Sequence, residues 1–195
     1  MVRVVLSLAI FVMILWQSLW SEVAAMLLLT AASISDYFDG VIARRTMTTT
    51  PFGAVADPFA DKILVMAVFI AFASLKELDV PLWAVFLILL RELAISTLRV
   101  LAALHGEVMK AETTGKIKTA IQMVSAFTIM TLLLLVMWQK RGPLPCDELT
   151  FLAGLAKPAG WWLTVITALF TLVSGLVYLY NHRELLHKSW SERGR

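Results

Sequence analysis

The chain has 195 residues, of which 59% are hydrophobic and only 16% charged, and its mean hydropathy is +0.81. Soluble domains carry about 45–50% apolar and about 25% charged residues, so this composition excludes an ordinary soluble domain and places the chain in the membrane class. A net charge of +3 gives no reason to expect a nucleic-acid partner, and the single cysteine, Cys146, has no second thiol in the chain to pair with.

A bilayer span needs roughly 20 mostly apolar residues. Six apolar segments meet that need, over 4–20, 23–43, 52–75, 80–104, 117–138 and 161–180. The first is long enough to remain as a span, and no small-residue cleavage site follows it, so a cleaved signal peptide is not expected. The connections hold the breakers and charges: 44–51, 76–79 ahead of Pro81, 105–116, and 140–158 with Pro143, Pro145 and Pro158. The ten-residue alternating segments of a membrane β-barrel are absent. The predicted fold is all-α, a polytopic membrane bundle of six transmembrane helices forming a single domain over 1–195.

Lysine and arginine set the orientation. Arg3, Arg44, Arg45, Arg99, Lys110, Lys116, Lys118 and the basic tail from Arg183 onward fall on one side, against Lys76, Lys140, Arg141 and Lys157 on the other. The positive-inside rule then predicts that both termini are cytoplasmic. Trp16, Trp20, Trp83, Trp138, Trp161 and Trp162 all fall at the opposite, outer interface, where an aromatic belt belongs.

The second and third segments carry the chemistry. Asp36, Asp39, Gly40 and Ala43 recur at helical spacing and line one stripe; Gly53, Asp57 and Asp61 line another on the next segment. The linking loop is short, so the two segments are expected as antiparallel neighbours with their stripes facing near the cytoplasmic surface. Four carboxylates on one small volume repel each other and are costly within a membrane. Two divalent cations would balance them, and an all-oxygen donor set selects hard ions such as Mg²⁺, Mn²⁺ or Ca²⁺. Two such ions about 3.5–4 Å apart form the clamp used for in-line displacement at phosphorus. Gly40, Ala43 and Gly53 leave room beside the acids for a nucleotide, and Arg44 can pair with a diphosphate. A plainer reading makes these interfacial acids paired with Arg44, Arg45 and Lys62. It accounts for one aspartate better than for four in register.

The stretch 36–61 resembles the signature of the CDP-alcohol phosphotransferase family, D-x-x-D-G-x-x-A-R followed by G-x-x-x-D-x-x-x-D, with every signature position filled. The resemblance implies a six-helix membrane bundle, usually a homodimer, with two Mg²⁺ or Mn²⁺ ions held by Asp36, Asp39, Asp57 and Asp61. It implies Asp61 as general base as well, and Gly40, Ala43, Arg44 and Gly53 as the lining of the CDP site.

The fourth and fifth segments bear on the acceptor. Arg91, Glu92, Ser96 and Arg99 recur along overlapping faces of one helix, and Gly115-Lys116-Ile117-Lys118-Thr119 with Gln122 opens the next. Charges at the level of Arg91 and Glu92 are tolerated in a bilayer only when paired or facing a cavity. Cations beside a two-metal site suit a second anionic group, such as an acceptor's phosphate. The alternative is that Lys116 and Lys118 are surface anchors and that Arg91 and Glu92 make pairs across helices. The pattern R-E-x-x-x-S-x-x-R with G-K-x-K-T-x-x-Q is similar to that of bacterial phosphatidylglycerophosphate synthases. That resemblance implies CDP-diacylglycerol as donor, glycerol-3-phosphate as acceptor, and Arg91, Arg99, Lys116 and Lys118 around the acceptor phosphate. Those proteins usually open with an amphipathic N-x-x-x-x-T-x-x-R segment, of which this chain has Arg3 in the arginine's place. The expected activity is phosphatidyl transfer at the cytoplasmic face of the inner (plasma) membrane. A sister transferase acting on serine, inositol phosphate or phosphatidylglycerol is the near alternative. A divalent-cation transporter is the distant one, disfavoured because no acidic or amide relay is evident towards the outer side.

Overall fold

In the computed structural model, all regular structure among the described residues is α-helical: α1 (Val2–Leu15), α2 (Leu19–Thr46), α3 (Pro51–Ala73), α4 (Leu82–Leu104), α5 (Thr113–Arg141), α6 (Asp147–Gly154) and α7 (Ala156–Asn181). The described residues are 2–46, 51–104, 113–141 and 147–183; for 2–3, 36–46, 51–61, 104, 113–114, 116, 141 and 147–149 the description extends to the backbone alone.

Local sequence explains most of the boundaries. The segment expected over 4–20 is broken by a turn at 16–18, where Gln17 takes a left-handed φ of 50°. Asp79 does the same at 48° before Pro81, and the Pro81 carbonyl accepts from the backbone N–H groups of Ala84 and Val85 to start α4. Pro51 opens α3 at a position where its missing N–H costs nothing. The stretch 140–158, expected as a connection, instead contains α6, separated from α7 only by Leu155. Prolines on both sides of a single short helix had masked it.

Ile10 and Ile14 of α1, Phe69 and Phe72 of α3, Ile88 of α4 and Ile129, Met130 and Leu133 of α5 form the core, all fully buried. α1 packs against both α2 and α3, α5 against α2 and α7, and α4 against α3 and α7. α5 and α7 meet along a polar seam in which Ser125 and Thr167 share a hydrogen bond of 2.8 Å and Gln122 donates to Thr171 at 3.5 Å. Membrane helices adhere through such contacts and small residues, since lipid is as apolar as leucine. The seam runs deeper than the sequence reading allowed, but its members bond to each other in closely packed helices.

Contacts at one end fix the helix directions. Lys140 donates to Glu77 at 2.8 Å and Gln17 donates to the other Glu77 oxygen at 3.3 Å. This ties the α1–α2 turn, the α3–α4 connection and the end of α5 together. The Lys140 bond holds the Glu77 carboxyl below its ordinary range. Gly160, at the start of α7, lies so close to the same connection that a Cβ there would sit 2.1 Å from the Leu78 carbonyl oxygen. The six tryptophans expected at a single interface all belong to the helix ends gathered here, and Trp16 and Trp20 are 73% and 79% exposed. At the opposite end stand the start of α1, the end of α2, the start of α3, the end of α4, the start of α5 and the end of α7.

Two helical segments among the described residues, Ile117–Lys140 and Ala156–Asn181, are long and apolar enough to cross a bilayer. Val4–Leu15, Leu19–Ser35 and Lys62–Ala73 are shorter apolar segments. The turn at Gln17 ends the first, the second and third stop where the side-chain description stops while α2 and α3 themselves continue, and α4 carries Arg91, Glu92 and Arg99. Exposed Leu27, Phe86, Phe151, Trp162, Leu169, Phe170 and Leu176 give the bundle an apolar exterior, as a lipid-facing surface requires. The chain is a membrane-associated helical bundle, with two helices of spanning length and apolarity among its described residues.

Candidate active site

α4 presents Arg91, Glu92, Ile95, Ser96 and Arg99 along one side, because residues three and four apart stack on a helix. They line a cavity of about 420 Å³ closed by Lys62 of α3, by Gly115, Lys118, Thr119, Ala120 and Met123 of α5, and by Ser174 and Tyr178 of α7. Among the described residues, four cationic side chains therefore share it with one carboxylate, Glu92.

Glu92 is 2% exposed and serves as a hub. Its Oε1 accepts from the Lys118 ammonium and from Gln122 Nε2 at 3.1 Å, and lies 3.6 Å from Arg91 Nη1. Its Oε2 lies 3.2 Å from Lys62 Nζ. A buried charge demands such partners, since an unpaired one costs several kcal/mol. The alternative that Lys118 is a surface anchor is overturned, because Lys118 is 3% exposed and bonded inside the bundle. Its other half holds, since Glu92 does pair across helices.

Arg91 is nearly buried, its side chain 9% exposed. Nη2 donates to Ser174 Oγ at 3.2 Å, while Nε finds no partner among the described residues. The side chain lies along α7 in a gap left by Gly175, where a Cβ would come within 2.9 Å of Arg91 Cγ and 3.2 Å of Nε. Arg99 is exposed at the cavity's rim, its guanidinium 5.6 Å from the centre of the Tyr178 ring. Tyr178 in turn stacks on His182, ring centres 4.4 Å apart.

Three of the four residues predicted around an acceptor phosphate, Arg91, Arg99 and Lys118, thus meet in one cavity. Lys116 lies on α5 with its side chain outside the description. Asp36, Asp39, Gly40, Ala43 and Arg44 fall in the second half of α2, and Gly53, Asp57 and Asp61 in the first half of α3. Their helical backbone preserves the expected spacing, and their side chains lie outside the description. The link between the two groups is Lys62, which lines the cavity and follows Asp61 directly in the chain. Among the described residues no cluster of His, Cys, Asp or Glu could hold a metal ion.

Sequence reasoning placed Gln122 in the acceptor stretch but read Lys62 only as a partner for the aspartates, and it missed Ser174, Gly175 and Tyr178 as parts of this site. A polar residue recurring on one face of α7 (Thr164, Thr167, Thr171, Ser174, Tyr178) was the available signal. It also missed Glu22, fully buried in the first turn of α2 at the other end, whose carboxylate oxygens have no partner among the described residues.

Comparison with known proteins bears on both groups. The family model of the CDP-alcohol phosphatidyltransferases matches residues 1–173. A CDP-diacylglycerol–glycerol-3-phosphate 3-phosphatidyltransferase of Bacillus subtilis (strain 168) is 37% identical over 170 residues, covering 87% of this chain and 78% of that one. A protein of the same description from Rickettsia bellii is 44% identical over 106 residues, 54% of this chain and 57% of its own length. A probable phosphatidylglycerophosphate synthase of Mycobacterium tuberculosis is 41% identical over 105 residues, 54% of this chain and 49% of its own.

Proposed function

This chain belongs to the CDP-alcohol phosphatidyltransferase family, and from that premise we propose that it transfers a phosphatidyl group from CDP-diacylglycerol to glycerol-3-phosphate, releasing CMP. The observation that carries the acceptor is the cavity lined by Lys62, the residue after Asp61, where four cations face one carboxylate among the described residues. Its surplus of positive charge and the Nε of nearly buried Arg91, without a partner among the described residues, suit a phosphate-bearing acceptor, and serine would leave that charge unanswered. The names of the relatives from Bacillus subtilis and Rickettsia bellii agree with this choice.

The donor set fits a pair of hard divalent cations: four aspartates, all oxygen, towards the adjoining ends of two consecutive helices. When bound, Mg²⁺ or Mn²⁺ at Asp36, Asp39, Asp57 and Asp61 supplies charge neutralisation to the diphosphate and polarises the phosphoryl group under attack. The chain's own residues do the rest. Arg91, Arg99, Lys116 and Lys118 hold the acceptor phosphate, leaving the far hydroxyl of glycerol free to reach phosphorus. Asp61 takes that hydroxyl's proton as the new P–O bond forms and the bond to the CMP oxygen breaks. Gly40, Ala43 and Gly53 give the nucleotide room, and Arg44 balances the charge on departing CMP.

The proposed setting is the inner (plasma) membrane, crossed six times as a homodimer, with both termini and the site in the cytoplasm. The alternating helix directions and the tryptophan-rich opposite end support this orientation. Purified protein with CDP-diacylglycerol, divalent metal and a panel of glycerol-3-phosphate, glycerol, serine and inositol tests the proposal. CMP release with glycerol-3-phosphate alone is expected. Faster turnover of an uncharged alcohol would reassign the acceptor.

A further inference from the structure

We infer that Glu92 is a positioning residue for the acceptor, the carboxylate that holds the phosphate-binding cations in place and sets them against the α3 end that carries Asp61. The inference rests on the glycerol-3-phosphate reading and deepens it.

Glu92 gathers cations from three helices: Arg91 on its own α4, Lys62 on α3 at 3.2 Å, and Lys118 on α5. Gln122 adds a neutral bond at 3.1 Å and reaches on to Thr171 of α7. One carboxyl group therefore meets side chains of three of the four elements that wall the cavity and is linked to the fourth, α7, through Gln122. Stability alone gives little reason for this arrangement, because buried ion clusters are commonly no more stable than apolar packing of the same volume. Fixed geometry is what such a cluster provides. Lys62 adjoins Asp61 along the chain, so the Lys62–Glu92–Lys118 bridge sets the register between the proposed base and the proposed phosphate site. Catalysis by orientation is sensitive to that register, and a displacement of about 1 Å can cost a hundredfold.

The charge of Glu92 makes the inference testable, because two accounts differ in sign. If Glu92 acted only through its field, Glu92→Gln would remove a negative charge from an anion site and lower the KM for glycerol-3-phosphate. If it positions cations, the same change releases Lys62 and Lys118, and that KM rises despite the more positive cavity. We expect a rise of tenfold or more in Glu92→Gln, with the KM for CDP-diacylglycerol within about twofold of wild type. Glu92→Asp keeps the charge but withdraws it by one methylene, and should fall between the two. It also serves as the test should Glu92→Gln fail to accumulate in the membrane.

The experiment is steady-state CMP release by the purified full chain in detergent micelles of fixed lipid composition, with thermal midpoints recorded for each variant. An acceptor KM unchanged or lowered in Glu92→Gln, or in Glu92→Asp where that stands in, overturns the inference. So does a joint rise of both KM values with a fallen midpoint, which marks a merely structural role. These outcomes leave wild-type transfer to glycerol-3-phosphate intact. A wild-type protein that releases no CMP with glycerol-3-phosphate instead overturns the underlying reading, and the inference with it.

Discussion

Gly175→Ala places a single methyl group where the structure has no room for it. The new Cβ would lie 2.9 Å from Arg91 Cγ and 3.2 Å from Nε, whereas ordinary contact begins near 3.4 Å, so Arg91 must retreat by roughly half an ångström. Its bond to Ser174 is already 3.2 Å long, and the retreat takes it past hydrogen-bonding range. Losing one bond from a charged donor costs about 1.5–3 kcal/mol. Replacing glycine within a helix returns about 1 kcal/mol through backbone entropy. Folding stability should therefore change little, while Arg91 leaves its position in the cavity. The expected result is a KM for glycerol-3-phosphate raised roughly tenfold, with a thermal midpoint within a few degrees of wild type. CMP release against acceptor concentration, beside a melting curve in the same detergent, reads both quantities. An unchanged acceptor KM in a folded Gly175→Ala protein would refute the assignment of Arg91 to the acceptor site.

Other perturbations address other parts of the account. Asp57→Asn should abolish transfer at saturating Mg²⁺ or Mn²⁺ without preventing insertion, several kcal/mol of transition-state stabilisation being lost with one ligand; activity within threefold of wild type would refute the acidic site. Arg99→Ala should raise the acceptor KM roughly tenfold and that of CDP-diacylglycerol less, measured by the same CMP assay. Cys146, the only thiol, should react with a membrane-impermeant maleimide in intact spheroplasts, and labelling only after permeabilisation would invert the topology. Glu77 has its folded-state pKa depressed by Lys140, so its contribution is present at neutral pH and fades as pH falls through the lowered value; Glu77→Gln should flatten the acid side of the stability profile measured by thermal midpoint.

The cavity was legible in the sequence where its parts lie along one helix. Arg91 through Arg99 follow helical spacing, and hydropathy alone makes such charges conspicuous; Asp36 and Asp39, Asp57 and Asp61 stand out in the sequence in the same way, and of them the structure describes the helical backbone. What was not legible depends on which helix packs against which. Nothing in the periodicity of α4 says that Glu92 meets Lys62 and Lys118, because those contacts join residues of three helices. Ser174 and Gly175 read as ordinary small residues of an apolar helix until Arg91 is seen lying along them. Glu22 escaped notice because one acid near a helix start is common and favourable there. The turn at Gln17 was hidden for a related reason, since apolar residues resume directly after Gln17 and Ser18, and the left-handed φ marks the break.

Transfer by direct attack of the acceptor's hydroxyl on phosphorus is the central claim, and the fate of that hydroxyl's oxygen tests it. Glycerol-3-phosphate labelled with ¹⁸O at its free primary hydroxyl would be incubated with the purified chain, CDP-diacylglycerol and Mg²⁺ or Mn²⁺, and the products weighed by mass spectrometry. The account predicts one lipid product, phosphatidylglycerophosphate, that retains the label in its phosphodiester, with unlabelled CMP in equal amount. Label in CMP, or phosphatidic acid formed from water in place of the labelled lipid, would contradict it.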